Sequence, residues 1–471
     1  MQRSHSVSRW AAVQAAMFLI GFAALATGCA SPQGPAKTPA ASSKTLKVGF
    51  DLAQGLPIVQ GLTNAHATQL AVVAPADLSL KFKIEDGKKL RDIEPQTRTS
   101  PGSTVVVHQL VVEKLKLGKT YALIVSDESG KNLDRREFKT LDLSARPARV
   151  VSASCLYDYF LKESHALWAS LLASKPELVL LIGDNVYAEV SDGRFPSPMP
   201  QEPLWIRYAE TFLVLDFYKS KKLIPTVVTW DDHDYGMKDG DSSNPYKAEA
   251  KYVMESFFPQ IPSKTFPEFT AGPGVSHRFD AFGYRFLLLD NRSFRTSPKA
   301  PATEERTHFG KDQDQWIAKM VNESPNPVWL ISGDQWFGAY HRFESYEGRH
   351  PESLKSFLKS IESSSAPVIF MSGDRHLSEV MKIESDLLGY ETYEFTSSAL
   401  HSRAHPANWA TIPNKRHVMG VELIHNFNLF DLTPMKTAAG SVRTVRLKGS
   451  AIGPESKTLY TFDFLIKKPK R

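Results

Sequence analysis

Three carboxylates and a histidine stand side by side at residues 231–234, after an apolar run at 224–228 and two intervening residues. Adjacent carboxylates repel each other, and burying them without partners is costly. A bound cation would remove the repulsion, because carboxylate oxygens and imidazole nitrogens are common metal ligands. Taken alone, this segment is at least as consistent with an acidic turn that caps a helix, so a metal site has to be argued from the rest of the chain.

The same pattern recurs through residues 146–471, where apolar runs typical of strands end in residue types that bind metals or transfer protons. The runs are 148–153, 177–182, 225–228, 284–289, 328–331 and 368–371. The residues that follow them include Cys155, Asp184, Tyr187, Asp232, His233, Arg292, Asp334, Asp374 and His376. Each of these residues, taken alone, could be an ordinary turn, core or surface residue. To explain all of them in that way would require the same coincidence after every run.

Segments with a helical pattern lie between these runs, at 160–174, 203–221, 247–258, 312–323 and 352–363. Alternating strands and helices predict an α/β domain. In α/β domains, sites form at the carboxyl ends of the strands. We therefore expect the residues that follow the runs to share one site.

Taken in order, the motifs Ser154-Cys155, Gly183-Asp184-x-x-Tyr187, 230–236, 289–295 and 372–376 resemble the PhoD family. Its members are the alkaline phosphatase D type phosphodiesterases of the calcineurin-like metallophosphoesterases. The resemblance covers roughly residues 150–400, and segments 310–316 and 393–398 also resemble the family. It implies an α/β fold, the four-layer α/β/β/α metallophosphoesterase sandwich, preceded by an all-β immunoglobulin-like domain.

The resemblance also implies bound metal ions. In the family, a cysteine and the tyrosine of the Gly-Asp-x-x-Tyr motif bind ferric iron, with calcium at the partner sites; here these residues are Cys155 and Tyr187. Thiolate and phenolate are anionic donors that trivalent iron holds deprotonated. Closely spaced cations need a bridging carboxylate, for which Asp184 is the candidate. Other divalent ions are also compatible. The remaining predicted ligands are Asp232, Asp374 and His376.

Phosphoester cleavage requires charge neutralisation on the phosphoryl oxygens, an activated hydroxide and help for the leaving group. Two or more neighbouring metal ions supply the first two requirements. The resemblance places His233 beside the scissile phosphate as an acid or a charge stabiliser. Arg292 is the predicted phosphate clamp, because its forked guanidinium matches phosphoryl oxygens.

Three features depart from the family pattern. Lys238 stands where members usually carry an asparagine, and an ammonium group cannot ligate a cation; the second metal shell could differ, or Asp239 could substitute. The export signal predicted for residues 1–28 lacks the pair of arginines that is common in the family, so metal loading could follow export. The last sixty or so residues have strand-like patterns at 441–448 and 458–466, with no candidate for a helix that caps the site. A more open site would admit bulkier diesters.

Residues 45–145 contain short β-branched runs separated by turn signals such as Asp86-Gly87 and Ser129-Gly130. The runs lie at 46–50, 69–73, 78–84, 104–112, 121–126 and 136–140. This pattern predicts an immunoglobulin-like sandwich that ends near residue 145, followed by the metallophosphoesterase domain at 146–471. No cluster of catalytic residue types occurs in the sandwich, which favours a structural or positioning module.

Residues 1–28 have the pattern of an export signal, in which Arg3 and Arg9 precede an apolar stretch that is short for a stable membrane span. Small residues then precede Cys29, as in a lipoprotein processing site where the cysteine is lipidated. An uncleaved anchor is the weaker alternative. Residues 29–44 would form a flexible tether. We therefore predict an exported, membrane-anchored lipoprotein that faces the periplasm or the cell exterior.

The 471-residue chain has two cysteines, so lipidation of Cys29 would leave Cys155 without an intramolecular disulfide partner. In an oxidising compartment, such a thiol is either buried or held by a metal. The formal net charge of +6 gives weak support for an anionic substrate or surface. No basic block with interleaved aromatic residues is present, which argues against nucleic-acid binding.

These observations together predict an exported, metal-dependent phosphoesterase that hydrolyses phosphomonoesters, phosphodiesters or both. A phospholipase D-like activity on membrane phospholipids is an alternative that a membrane tether would suit. An alternative of another class is a non-catalytic surface binding protein on a phosphatase scaffold. The nearly complete set of ligand types argues against that alternative. The sequence leaves the natural substrate and the oligomeric state open.

Overall fold

The computed structural model describes residues 48–190, 193–301, 305–407, 409–437 and 442–469. The predicted signal peptide, Cys29 and the tether lie outside these residues, and the predictions about them stay predictions. The described residues belong to one compact unit. The predicted domain boundary near residue 146 therefore also stays a prediction.

The all-β part at residues 58–139 is a sandwich of two antiparallel sheets. Its strands are β1 (Ile58–Thr63), β2 (Thr68–Pro75), β3 (Leu80–Asp86), β4 (Lys89–Asp92), β5 (Gln96–Thr99), β6 (Val105–Val112), β7 (Thr120–Asp127) and β8 (Asn132–Lys139). One sheet has the order β1-β2-β6-β5, and the other has the order β4-β3-β7-β8. Apolar side chains such as Leu70, Ile84 and Phe138 form the core between them. The predicted immunoglobulin-like β region is confirmed.

Some details of this sandwich differ from the sequence prediction. The strand expected at 46–50 is wrong for the described residues 48–50, which have no regular structure. The first strand is instead β1, which is buried along its whole length and so shows no polar alternation. Strands β4 and β5 are only four residues long and mostly exposed, so they lack the apolar pattern that marks a strand.

The rest of the chain alternates strands and helices. The strands are β9 (Ala148–Ala153), β10 (Leu178–Ile182), β11 (Thr226–Thr229), β12 (Phe269–Ala271), β13 (His277–Ala281), β14 (Tyr284–Leu288), β15 (Val328–Ile331), β16 (Val368–Ser372), β17 (Ser378–Ile383), β18 (Thr392–Ser397), β19 (His417–Val421), β20 (Phe427–Leu432), β21 (Lys436–Thr437), β22 (Val442–Ile452) and β23 (Thr458–Pro469). The helices are α1 (Leu161–Ala173), α2 (Gln201–Val214), α3 (Lys247–Phe257), α4 (Lys311–Asn322), α5 (Tyr346–Arg349), α6 (Pro351–Ile361) and α7 (Ser385–Leu388).

These strands form two mixed sheets. The first has the order β11-β10-β9-β20-β22-β21, with β23 paired to β22, and the second has the order β12-β13-β14-β15-β16-β18-β17-β19. Helices α1, α2 and α3 pack on the outer face of the first sheet. Helices α4 and α6 share a core with the second sheet, and the facing sides of both sheets contribute to that core. This is the predicted four-layer α/β/β/α sandwich.

The helices form because their apolar residues repeat at helical spacing. In α6, Leu354, Phe357, Leu358 and Ile361 are all buried and lie on one face. The helix begins with Pro351, whose fixed φ angle suits a first turn. Burial of this apolar face packs the helix against the sheet that it covers. The sheet in turn fixes the positions of the loops at its edge.

All the apolar runs that the sequence marks as strands before ligand types are strands in the fold. Strands β9, β10 and β11 are parallel neighbours in the first sheet. Strands β14, β15 and β16 are parallel neighbours in the second sheet. Parallel neighbours end at the same edge of a sheet, so each sheet delivers three chain segments to one edge.

The C-terminal strands predicted at 441–448 and 458–466 are confirmed as β22 and β23, which pair with each other. Among the described residues after α7, no further α-helix occurs. In the described part of the chain, every helix is too short or too polar to cross a lipid bilayer.

Candidate metal centre

The two sheets are joined at the edge where their parallel strands end. The hydroxyl of Thr229, the last residue of β11, donates to the carbonyl of Leu289 at 2.7 Å. The indole N–H of Trp230 donates to Oδ1 of Asp290 at 2.9 Å. These bonds link the ends of β11 and β14, so side chains from both sheets face one another there.

Glycines precede two of the aspartates at these strand ends for a steric reason. Gly183 has a φ angle of +113°, and a Cβ atom added to it would lie 2.8 Å from Cβ of Asp231. A Cβ atom added to Gly333 would lie 2.6 Å from Cγ of the same aspartate. Contacts that short force atoms to move, so only glycine allows the strand ends to close around Asp231.

Four of the predicted ligands have left-handed backbone conformations that non-glycine residues rarely adopt. The φ angles are +62° for Cys155, +53° for Asp184, +60° for Asp374 and +54° for His376. Such conformations cost free energy and cluster at functional sites, where the surrounding structure holds them. Here each one follows a strand and turns its side chain toward the shared edge.

Asp184 lies at the middle of the arrangement. Three sets of side chains have ligand atoms within 4.8 Å of one another, and all three contain Asp184. The sets are Cys155, Asp184 and His376; Asp184, Asp232 and His233; and Asp184, Asp231 and Asp374. A carboxylate shared in this way can bridge cations, which is the role predicted for Asp184 from the sequence.

The cysteine side of the centre contains the predicted iron ligands. Sγ of Cys155 lies 3.4 Å from Oδ2 of Asp184 and 3.0 Å from Oγ of Ser398. Oη of Tyr187 lies 2.9 Å from Nε2 of His376. Nδ1 of His376 donates to the carbonyl of Arg403 at 2.7 Å, which leaves Nε2 as the nitrogen able to bind a cation.

The other side contains Asp232 and His233. Oδ2 of Asp232 accepts a 2.7 Å hydrogen bond from the backbone N–H of Asp239. Nδ1 of His233 is hydrogen-bonded to Oε1 of Glu189. The ring of His233 stacks on that of Tyr187, with centroids 4.1 Å apart. Stacking and hydrogen bonding together fix the orientation of the imidazole.

Arg292, the predicted phosphate clamp, is fully buried and bonded within the protein. Its Nε donates to Oδ1 of Asp231 at 2.5 Å, and its Nη1 donates to Oε2 of Glu344 at 2.8 Å. Its Nη2 lies 3.9 Å from Oδ1 of Asp232. The catalytic role of Arg292 stays a prediction, and these buried pairs favour a role in fixing the two aspartates instead.

Several buried carboxylate oxygens at the centre lack a hydrogen-bond partner. They are Oδ1 of Asp184, Oδ2 of Asp231, Oδ1 of Asp232 and Oε2 of Glu189. A buried polar atom without a partner is costly. Because three of these oxygens belong to residues of the ligand sets around Asp184, cations bound there could satisfy them. The residues therefore fit a metal centre.

The ionisation of these groups supports the same conclusion. Burial raises the pKa of Asp184 well above its ordinary value and raises the pKa of Asp374 to about 7. Burial likewise raises the pKa of the Cys155 thiol to about 11. Burial favours the protonated forms of these groups when no counter-ion is present, and a cation stabilises their ionised forms instead.

The two histidines of the centre have opposite shifts. Burial lowers the pKa of His376 to about 3, so this imidazole is neutral and available as a ligand. Burial also opposes ionisation of His233, but the charges of Asp232 and Asp184 and the hydrogen bond with Glu189 raise its pKa well above the ordinary value. A neutral ligand and a protonated acid are the roles expected of two histidines in such a site.

The side chains of Lys238 and Asp239 lie outside the three ligand sets. They pair with each other at 3.6 Å and are 68% and 62% exposed. Asp239 reaches Asp232 through its backbone N–H, not through its carboxylate. A ligand role for the Asp239 carboxylate stays a prediction.

Sequence reasoning did not single out Glu189 or assign a role to Asp231. Glu189 lies in the segment after β10 but occurs in none of the motifs, so only the fold shows its contact with His233. Asp231 stands beside Asp232. Because consecutive residues of an extended chain face opposite sides, the sequence pattern suggests that only one of these two aspartates faces the site.

Side chains that could hold metal ions lie at the carboxyl ends of the strands of a four-layer α/β/β/α sandwich, an arrangement that fits a metallophosphoesterase. A profile of the PhoD-like phosphatase family matches residues 150–432. The chain therefore belongs to the PhoD-like phosphatase family and is a phosphoric ester hydrolase by class, as the sequence motifs predict. A search among curated proteins found no significant match.

The chain is also similar to solved structures. A structure of PhoD superposes with a TM-score of 0.65 at 16% identity, covering 88% of this chain and 92% of that one. This similarity confirms the fold. A β-glucuronidase from Bifidobacterium dentium reaches a TM-score of only 0.26 at 11% identity, covering 68% of this chain and 52% of that one. A score that low is no basis for inferring a shared fold.

Proposed function

We propose that this protein hydrolyses phosphomonoesters, phosphodiesters or both at a multinuclear metal centre. The observation that carries the proposal is the position of Asp184, which belongs to three ligand sets and has a buried oxygen without a hydrogen-bond partner. Cations held that closely together suit a negatively charged phosphoryl group better than a neutral substrate.

The ligand types divide the centre into two kinds of site. Cys155, Tyr187 and His376 offer a thiolate, a phenolate and an imidazole, which suit ferric iron. Asp232 and Asp374 offer carboxylate oxygens, which suit calcium. Asp184 would serve both. Bound ions would supply positive charge for the phosphoryl oxygens and lower the pKa of a water molecule.

His233 is the residue proposed to assist the leaving group. Its raised pKa favours the protonated imidazole, the form that can donate a proton or stabilise negative charge on an oxygen. The hydrogen bond to Glu189 holds its ring in place and keeps Nε2 directed away from that carboxylate. These features support a general-acid role for His233.

The test is turnover of chromogenic monoester and diester substrates by the metal-loaded protein, with phosphatidylcholine as a third substrate. We expect hydrolysis of a monoester or a diester and its loss after metal chelation. Cleavage of phosphatidylcholine alone would support a phospholipase instead. Binding of inorganic phosphate without turnover of any of the three would support a non-catalytic binding protein and contradict the proposal.

We also propose that the protein is exported and anchored by lipid at Cys29. The basic and apolar pattern of residues 1–28 supports this proposal. Metabolic labelling with a fatty acid should mark the full-length protein but not a Cys29→Ser variant. A variant that lacks residues 1–28 and Cys29 should be soluble and active, because every proposed ligand lies after residue 150. A truncated protein that binds metal but is inactive would mean that the anchor takes part in catalysis.

A further inference from the structure

Arg375 lies between two proposed metal ligands, Asp374 and His376, in the turn after β16. Both neighbours have positive φ angles, and the backbone N–H of Arg375 donates to the carbonyl of Gly373 at 2.7 Å. The turn is therefore tightly wound, and it fixes the start of the Arg375 side chain next to the metal centre.

Within the described residues, Arg375 differs from the other buried arginines because it makes no ion pair. The pairs made by the others are Arg136 with Asp134, Arg207 with Asp158, Arg285 with Asp280, Arg292 with Asp231 and Arg295 with Asp334. Arg375 is only 7% exposed, and within the described residues it makes no salt bridge. Its Nε is buried without a hydrogen-bond partner. A buried charge without a partner is costly, which calls for an anion that comes from outside the protein.

The aromatic ring of Phe343 packs against one face of the Arg375 guanidinium. The guanidinium carbon lies 4.5 Å from the centroid of the Phe343 ring. Stacking on an aromatic face leaves the edge N–H groups of an arginine free for planar recognition of an oxyanion. The next residue, Glu344, forms ion pairs with both Arg292 and Arg295, so these two arginines hold the loop that carries Phe343 in place.

Arg375 is joined by the backbone to two proposed ligands, Asp374 and His376, so its charge lies close to the centre. Arg292, by contrast, already donates to two carboxylates. Among the described residues, Arg292 is paired with carboxylates although its Nη2 also lacks a hydrogen-bond partner, whereas Arg375 has no carboxylate partner.

We propose that Arg375 binds the phosphoryl oxygens of the substrate and of the product phosphate, and that Phe343 positions its guanidinium for this contact. This inference rests on the proposed phosphoesterase function and names the residue that recognises the phosphoryl group. The ligand class is a phosphate ester or inorganic phosphate bound next to the metal ions.

The test uses inorganic phosphate as the probe and the metal-loaded, full-length protein. Calorimetry should give a phosphate dissociation constant about 10- to 100-fold higher for Arg375→Gln than for the wild type, with unchanged metal content. Arg375→Lys keeps the positive charge but loses the forked guanidinium, so its phosphate dissociation constant should lie between those of the wild type and Arg375→Gln. Phe343→Ala should also weaken phosphate binding, because the guanidinium loses its stacking partner.

Arg342 provides the matched control. It lies on the same loop, is exposed, and its guanidinium carbon is 5.4 Å from the same Phe343 ring. Arg342→Gln removes one positive charge near the site and should change phosphate affinity by less than about fivefold. An equal loss in both glutamine variants would mean that only overall charge matters and would overturn the proposal.

Other outcomes also decide the question. Wild-type phosphate affinity in a metal-replete Arg375→Gln protein would overturn the proposal, and so would loss of metal from both Arg375 variants, which would make Arg375 a structural part of the centre. In turnover assays, Arg375→Gln should raise KM more than it lowers kcat. If the wild type binds phosphate through Arg375 but hydrolyses no ester, the proposed function fails while this inference stands.

Discussion

Glu189 and His233 form a partly buried hydrogen-bonded pair beside Asp184, with the carboxylate side chain 7% exposed and the imidazole 14% exposed. A carboxylate only accepts, so Nδ1 of His233 carries a proton and Nε2 is the nitrogen that can act on a substrate. The pair thus combines an acid with the group that orients it and raises its pKa.

We predict that His233→Ala lowers kcat about 100- to 10,000-fold while the metal content stays nearly intact, because a general acid contributes about that much. Glu189→Gln should have a smaller effect, about 10- to 100-fold, as outer partners typically do. Glutamine also removes a charge that raises the pKa of His233. The loss of activity at alkaline pH should therefore begin at lower pH in Glu189→Gln than in the wild type.

The control for this pair is His165, which is hydrogen-bonded to Asp216 on the surface. His165→Ala removes a similar pair and should leave kcat and the pH profile unchanged. Metal analysis and pH–rate profiles of the three variants decide the matter. Parallel loss of metal and activity in His233→Ala would identify His233 as a ligand rather than an acid.

We predict that Asp184→Asn loses metal from the whole centre, whereas Asp374→Asn loses it from one position. The reason is that Asp184 belongs to all three ligand sets and Asp374 to one. Elemental analysis after dialysis gives the number of ions retained by each variant. Equal metal content in the two variants would contradict the bridging role of Asp184.

The sequence predicted the part of the centre that follows strands. Cys155, Asp184 and Asp374 come directly after apolar runs, and parallel strands bring their ends to one edge. The sequence could not predict the partners of these residues. Glu189 meets His233 only because the segment after β10 folds back to the end of β11, and no local pattern records such a contact.

The role of Arg292 illustrates the same limit. Its position after a strand and its chemistry both suggested a phosphate clamp, and its placement beside the aspartates follows from that position. The contact between the Arg292 guanidinium and Glu344, which lies on a distant loop, could not be predicted from the sequence. Whether an arginine is neutralised inside the protein or left for a ligand depends on tertiary contacts of this kind.

We predict that calcium loading of the metal-free protein releases protons at pH 7. Burial raises the pKa of Asp184 well above its ordinary value, which favours its protonated form, and raises that of Asp374 to about 7, so this carboxyl group is about half protonated at pH 7 before the cation binds. Because Asp374 ionises as the pH rises above about 7, the release should decrease at higher pH. Calorimetry in buffers of different ionisation enthalpy measures the number of protons released.

In the same experiment, Asp374→Asn should release fewer protons than the wild type, because an amide carries no ionisable proton. Asp239→Asn is the matched control, since its carboxylate is exposed and lies outside the ligand sets. This control should release as many protons as the wild type. Calcium binding at pH 7 without proton release would mean that the carboxylates are already ionised in the metal-free protein.

The last prediction concerns the colour of the protein. If Cys155 and Tyr187 bind ferric iron, charge transfer from thiolate and phenolate to the metal absorbs visible light, and the purified protein is coloured. Sγ of Cys155 lies 3.4 Å from the bridging candidate Asp184, and Oη of Tyr187 lies 2.9 Å from Nε2 of His376, so both donors face the same side of the centre. Zinc or calcium would leave the protein colourless.

Cys155→Ser and Tyr187→Phe should each shift or abolish the visible band and lower turnover. Tyr157→Phe is the matched control, because the ring of Tyr157 packs 4.9 Å from that of Tyr187 while the iron ligands are left unchanged. If Cys155 were only a buried apolar residue, serine there would destabilise the fold by about 1–3 kcal/mol without altering iron content or spectrum. An iron-replete protein without a visible band would remove both residues from the iron site, leaving the carboxylates and histidines as the metal ligands.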